Sequence, residues 1–87
     1  MHWLGQMKDR VTQTRLKVRL RKAMLGNLGD VKPVGEGVFE MREFFGPGWR
    51  MYDLEKAGAM VFMLGGGDKS SQARDIQRAI KLSKELE

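Results

Sequence analysis

The sequence of 87 residues contains no cysteine and only one histidine, His2, which stands beside the N-terminus. The absence of cysteine excludes disulfide bonds and a thiolate nucleophile. With a single histidine, neither a zinc site of the usual Cys/His type nor a Ser-His-Asp triad is expected. Lysine, arginine, tyrosine and the carboxylates therefore remain as the side chains that could carry chemistry, and the sequence predicts neither a cofactor nor a metal ion.

Long apolar runs are also missing. No stretch approaches the ~18 apolar residues of a transmembrane helix, and the N-terminus lacks the apolar segment of a signal peptide. We therefore expect a cytoplasmic protein without a membrane partner. The length predicts a single domain, residues 1–87. The net charge of +5 and the sequence pI of 9.9 favour an acidic partner, such as a nucleic acid or an acidic protein segment.

Hydrophobic spacing predicts helices at both ends of the chain. A short first helix is expected around Leu4, a second over residues 11–25 and a closing helix over residues 71–86. In the second helix, Leu16 and Leu20 lie on one apolar face. Its other positions are rich in lysine and arginine, which is typical either of a solvated face or of a surface that contacts phosphate groups.

Alternating patterns between turn signals predict three strands, at residues 34–43, 49–54 and 59–64. Turns at residues 46–48 and 55–58 would connect them as an antiparallel meander. The predicted fold class is therefore α+β, with two N-terminal helices, a three-stranded antiparallel meander and a C-terminal helix. One common core is expected, composed of Leu16, Leu20, Met41, Val61, Phe62 and Ile76.

Three consecutive glycines, residues 65–67, follow the last predicted strand. We expect them to turn the chain sharply, after which Asp68, Ser70 or Ser71 caps the closing helix. Backbone N–H groups and the Lys69 ammonium would then converge where the strand ends. Such an arrangement could bind a phosphate.

Several motifs resemble those of a known protein family. They are residues 25–38 (LGNLGDVKPVGEGV), 46–52 (GPGWRMY) and 66–72 (GGDKSSQ), with the shorter matches Glu40-Met41-Arg42, Asp75-Ile76 and Ala79. Together they cover nearly the whole chain in the expected order. The sequence resembles the phage-derived addiction-module killer proteins of the RelE/ParE/HigB toxin superfamily.

This resemblance implies a compact toxin that is neutralised by a cognate antitoxin, expected to be a helix-turn-helix protein. RelE-like and HigB-like members are similar to ribosome-dependent mRNA endoribonucleases that need no metal, so mRNA and the ribosome are the implied partners. ParE-like members share the fold but inhibit DNA gyrase. Because one fold supports both activities, the resemblance leaves this choice open.

The sequence departs from the family pattern in two respects. Family members usually begin with a strand, whereas Met1 falls where the first helix is already under way. A missing strand would expose a sheet edge and could lead to a homodimer. In addition, Glu43 and Asp53 occupy positions that are usually apolar, and a carboxylate on a core face is costly unless it is paired or hydrated. A third possibility is therefore an inactive remnant that only binds antitoxin or RNA.

The resemblance implies an active site with four candidate residues. Arg50 would stabilise charge on the phosphate, Arg42 would share its sheet face, and Lys69 would serve as a second cation or a base. Tyr52 would stack on a base or donate a proton. The structural alternatives are a pair between Arg50 and Glu40, packing of Tyr52 and a solvated Lys69. The predicted RNA-contacting residues are Lys32, Arg19, Lys22, Ser71 and Gln72.

Overall fold

The computed structural model describes residues 2–86 and confirms the predicted α+β fold class. A short helix and a longer one precede an antiparallel sheet, and a third helix closes the chain. A 3-10 turn, Lys69–Ser71, leads into that last helix. The elements are α1 (His2–Gly5), α2 (Arg10–Met24), β1 (Val31–Gly35), β2 (Val38–Arg42), β3 (Arg50–Lys56), β4 (Ala59–Gly67) and α3 (Gln72–Glu85). Over residues 2–86, no helix has the length and apolar character needed to cross a membrane.

The sheet within the described residues has four strands in the order β1-β2-β3-β4, rather than the predicted three. The segment predicted as one strand, residues 34–43, is in fact part of a hairpin, and β1 already begins at Val31, before the predicted strand. Glu36 and Gly37 form its two-residue turn with φ angles of 56° and 79°. Positive φ at both central residues is the geometry that matches the twist of hairpin strands.

Two separate clusters of apolar side chains lie on opposite faces of the sheet. Leu16 and Leu20 of α2 pack against Met41 and Met51 on one face. On the other face, α3 covers a second cluster that is built around Val38, Tyr52 and Ala79 and is flanked by Ile76. Alternation along β3 directs neighbouring side chains to opposite faces. The prediction of one common core that includes both Leu16 and Ile76 is therefore wrong.

Strand β4 lies at an edge of the sheet, and its register against β3 is irregular. The pairing shifts between Leu54 and Glu55, so that Val61 becomes an extra residue. An inserted residue breaks the strict alternation of a strand. As a result Met60 and Met63 both reach the core, whereas Val61 and Phe62 are 59% and 47% exposed. The assignment of Val61 and Phe62 to the core is thus wrong.

The three glycines do not form the predicted turn but continue β4, where they pair with residues 50–52 of β3. At Gly66 a Cβ atom would lie 2.6 Å from Trp3 Cζ3 and 2.8 Å from the Arg50 carbonyl oxygen. Only glycine allows this close approach of α1 to the sheet. The chain turns afterwards at Asp68, whose Oδ1 accepts a hydrogen bond from Ser70 N at 2.8 Å.

Candidate nucleic-acid interface

The connection between β2 and β3, residues 43–49, shapes one end of the sheet. Gly46 and Gly48 have positive φ angles of 59° and 81°, which favour glycine. A Cβ atom at Gly48 would lie 3.5 Å from Lys69 Cβ and 3.6 Å from Arg50 Nη1. The tight turn at Gly48 therefore brings these two predicted site residues to the same place.

Arg50 is held firmly by the protein. Its Nη1 donates to the carbonyl oxygens of Glu43 at 3.2 Å and Trp49 at 3.1 Å, so the guanidinium fixes the connection between the strands. Nε lies 3.9 Å from Glu40 Oε1, which is the ion pair considered as the structural alternative. Arg50 is only 7% exposed. Among the described residues, its Nε has no hydrogen-bond partner.

Glu40 and Tyr52 lie beneath α3, next to Arg50. Glu40 is 1% exposed and accepts a hydrogen bond from Gln72 Nε2 at 2.8 Å. Tyr52 has no exposed surface. Burial, and then the nearby Glu40 carboxylate, raise the pKa of the Tyr52 phenol above its usual value. In this conformation Tyr52 packs in the interior and does not present its ring to a base, while Gln72 is engaged by Glu40.

Arg42 lies directly opposite Arg50 in the pairing of β2 with β3. Its Nη2 lies 2.9 Å from Asp30 Oδ1, and this hydrogen bond raises the pKa of Arg42. The Arg42 side chain remains 33% exposed. It can therefore meet a ligand from solvent while Asp30 balances its charge.

Phe44 is the residue of this region that the sequence analysis missed. It is 75% exposed, and its ring centroid lies 5.9 Å from Arg42 Cζ and 6.0 Å from Arg50 Cζ. Arg42, Phe44, Arg50 and the exposed Lys69 are called the basic end of the sheet below. The only signal for Phe44 in the sequence was an aromatic pair directly before the turn at residues 46–48.

The Arg19 side chain is held by hydrogen bonds within the protein and is not free in solvent. Its guanidinium donates five hydrogen bonds, at 2.8–3.1 Å, to Glu43 Oε1 and to the carbonyl oxygens of Leu28, Asp30 and Arg42. The ion pair with Glu43 explains how that carboxylate is tolerated on the α2 side of the sheet. The donors of Arg19 are thus already engaged, which leaves little capacity for the predicted contact with RNA.

The remaining predicted RNA-contacting residues are divided between the two faces of the sheet. Lys22 is exposed on α2, beside a cavity of about 280 Å³ that Arg15 and Glu43 also line. Lys32 is exposed on β1, opposite Glu40 in the strand pairing, and so lies on the α3 side. The Ser71 hydroxyl donates to Asp75 Oδ2 in the first turn of α3. The Ser71 hydroxyl is therefore already engaged within the protein.

Asp53 is the second carboxylate that was expected to be costly on a core face, and it is fully buried. Neither of its oxygens has a hydrogen-bond partner among residues 2–86. Burial, and then the neighbouring Glu55 side chain, raise the pKa of Asp53 to about 8. In contrast to Glu43, Asp53 is therefore not neutralised by a direct ion pair.

Comparison with known proteins identifies a relative. An uncharacterized protein from Haemophilus influenzae (strain ATCC 51907 / DSM 11121 / KW20 / Rd) is 39% identical over 84 residues, which span 97% of this chain and 85% of that protein. No protein-family model and no solved structure matches the chain. The chain belongs to the same family as this H. influenzae protein.

The described residues do not contain a group of three His, Cys, Asp or Glu side chains that could hold a metal ion. The chemical groups at the basic end of the sheet are instead two guanidinium groups, an ammonium group and an exposed aromatic ring. Such a set fits a phosphate-bearing ligand, because the partly exposed Arg42 and the exposed Lys69 bring positive charge to the surface beside the ring.

Proposed function

We propose that this chain is a toxin of the RelE/ParE/HigB type that cleaves mRNA on the ribosome in the cytoplasm and is neutralised by a helix-turn-helix antitoxin. The observation that carries the proposal is the convergence of Arg42, Arg50 and Lys69 at one end of the sheet. The α+β architecture and the net charge of +5 agree with it.

The proposed cleavage is an attack by a ribose 2′-oxygen on the adjacent phosphorus, which breaks the bond to the 5′-oxygen of the next nucleotide. The attacking hydroxyl loses a proton and the leaving oxygen gains one. Arg42 and Lys69 contribute positive charge from the solvent side as negative charge develops on the phosphate. Arg50 contributes positive charge from the buried side of the site. It also fixes the connection between β2 and β3 through the carbonyl oxygens of Glu43 and Trp49.

The test is mRNA cleavage in a translating extract, with growth arrest as the cellular readout. Replacement of Arg50 by alanine is expected to lower cleavage by about 10²–10³-fold, the usual effect of removing one preorganised stabilising group. Arg50→Lys should restore little, because an ammonium group lacks the planar guanidinium that reaches the carbonyl oxygens of Glu43 and Trp49 while its Nε lies beside Glu40. Arg21→Ala on the exposed side of α2 is the matched control and should retain activity.

Arg50 also supports the fold, so a second variant is needed. Lys69 is exposed, and Lys69→Ala should lower cleavage while the thermal unfolding midpoint stays close to that of the parent. Lys22→Gln should weaken RNA binding about equally for all sequences and reduce the salt slope by about one unit per lost phosphate contact. Full activity of Arg50→Ala would contradict the nuclease assignment.

A second candidate function follows from the contacts of the two buried residues of the predicted site, Arg50 and Tyr52. Tyr52 is buried and Arg50 is bound to carbonyl oxygens, so neither is presented as a free proton donor. This favours a protein that binds without cleaving, either a ParE-like inhibitor of DNA gyrase or an inactive remnant. Inhibition of gyrase supercoiling by the parent would support the first, and a parent that is inert in both assays would support the second.

A further inference from the structure

The two consecutive phenylalanines after β2 differ sharply in their surroundings. Phe45 packs against the core on the α2 side, and Arg15 Cζ lies 3.7 Å from its ring centroid. Phe44, in contrast, is 75% exposed. Packing therefore accounts for Phe45 but not for Phe44, although an exposed phenyl ring forgoes the free energy of burial.

Positive charge surrounds the Phe44 ring. The guanidinium carbons of Arg42 and Arg50 lie 5.9 Å and 6.0 Å from its centroid. Lys69 lies beside Arg50 at Gly48. The ring is an apolar plane with two guanidinium groups over it, and its 75% exposure leaves room for a ligand that is itself planar and carries negative charge beside the plane. Arginine also strengthens such a platform through its own interaction with π systems.

An unpaired nucleobase with its phosphate has both of these properties. A base within a duplex does not, because its faces are covered by its neighbours in the stack. Exposed aromatic rings combined with a basic surface are the usual means by which proteins bind single strands, and every base offers a face for stacking. Charge complementarity thus selects a single-stranded nucleic acid as the occupant of this surface.

We infer that Phe44 is a stacking platform for one unpaired base, while Arg42 and Lys69 contact the phosphates that flank it. This inference rests on the proposed function and deepens it, since it restricts the ligand of the basic end to unpaired strands. Single-stranded RNA and single-stranded DNA share the required chemistry, so the experiment measures both.

The test uses the full chain and short fluorescein-labelled oligonucleotides, with fluorescence anisotropy as the readout. The probes are a single-stranded RNA, the single-stranded DNA of the same sequence and the RNA duplex. Phe44→Ala is expected to weaken binding of the single-stranded RNA by about 5- to 150-fold, the factor that stacking of one base typically supplies. Binding of the duplex and the slope against salt concentration should not change, because no charge is removed.

Two further variants complete the test. Phe44→Trp should retain binding, and its added indole fluorescence should be quenched when RNA binds, which reports the stacking directly. Leu25→Ala is the matched control: Leu25 is 83% exposed and precedes Gly26, which lies near the Gly58 carbonyl at the opposite end of β3. Circular dichroism verifies that each variant is folded.

The outcomes separate this inference from the proposed function. If the parent binds single-stranded RNA and the variants Phe44→Ala and Leu25→Ala bind it with equal affinity, the stacking platform is overturned. The proposed function then still stands. A parent that binds no oligonucleotide at low salt overturns both. Tighter binding of single-stranded DNA, with the same dependence on Phe44, supports the platform but counts against RNA as the substrate.

Discussion

Asp53 shows how one residue can link the stability of this fold to pH. Its carboxyl group is fully buried, and among the described residues no donor satisfies its oxygens. Because the charged form is penalised by burial and by Glu55, the pKa rises from an ordinary value of 3.8 to about 8 in the folded protein. The folded state therefore binds a proton at neutral pH that the unfolded state has already released.

The sign of the pH effect follows from this difference. The stabilising contribution of protonated Asp53 is complete below about pH 4 and is lost as pH rises to about 8, at no more than about 1.4 kcal/mol per pH unit.

We predict that the unfolding temperature of Asp53→Asn changes less between pH 5 and pH 8 than that of the parent, since the asparagine amide does not titrate. Thermal unfolding followed by circular dichroism measures this. Glu85→Gln, at an exposed position of α3, is the control and should retain the pH dependence of the parent.

For single residues, the sequence predicted the position of a side chain where its charge or its spacing restricted where it could lie. Alternation and the turn at residues 46–48 predicted that Arg42 and Arg50 share a sheet face, and these two residues are paired between β2 and β3. Lys69 was assigned to the same end through a glycine turn that does not form, because residues 65–67 continue β4. The sequence left packing of Tyr52 as one of two alternatives, and it did not predict the engagement of Arg19. Both features depend on how α3 and the loop after α2 cover these side chains, and no local pattern encodes that packing.

At the scale of elements, the glycines of β4 determine how closely α1 approaches the sheet. Gly66 faces the Trp3 ring and the Arg50 carbonyl, whereas a Cβ atom at Gly65 would meet no other atom within 4 Å. We predict that Gly66→Ala lowers the free energy of unfolding by about 1–3 kcal/mol, the usual cost of overpacking. Gly65→Ala is the matched control and should change it by less than about 0.5 kcal/mol.

Urea denaturation of the two alanine variants checks this prediction. Equal midpoints for Gly65→Ala and Gly66→Ala would show that Trp3 does not pack on β4 as described. Equal slopes against urea are expected as well, because neither substitution alters the surface that unfolding exposes.

The helices were easier to predict than the strands for a physical reason. An amphipathic helix such as α2 displays its periodicity over many residues, and Gly26, with a φ of 92°, directly follows its C-cap residue Leu25. The hairpin of β1 and β2 depends on a single pair, Glu36 and Gly37, in a left-handed turn. Glutamate is not a usual residue at such a position, so the glycines were interpreted as interruptions of one strand.

For the molecule as a whole, the four-stranded sheet leaves β4 with one strand neighbour, β3, within the described part of the chain. Val61 and Phe62 are exposed along it. A cavity of about 490 Å³, lined mainly by apolar residues that include Trp3, Phe62 and Leu82, opens beside this edge. An apolar edge strand with unpaired backbone groups is a template for pairing with another chain.

We predict that the isolated protein self-associates through β4 as its concentration rises. Sedimentation velocity should show a sedimentation coefficient that increases with concentration in the parent. Phe62→Lys should reduce this increase, because a charge on an edge strand opposes pairing. Val11→Lys is the control: Val11 is 70% exposed on α2, so the same added charge there should leave the association unchanged. A parent that sediments as a monomer at all concentrations would show that β4 does not pair with a second copy of the chain.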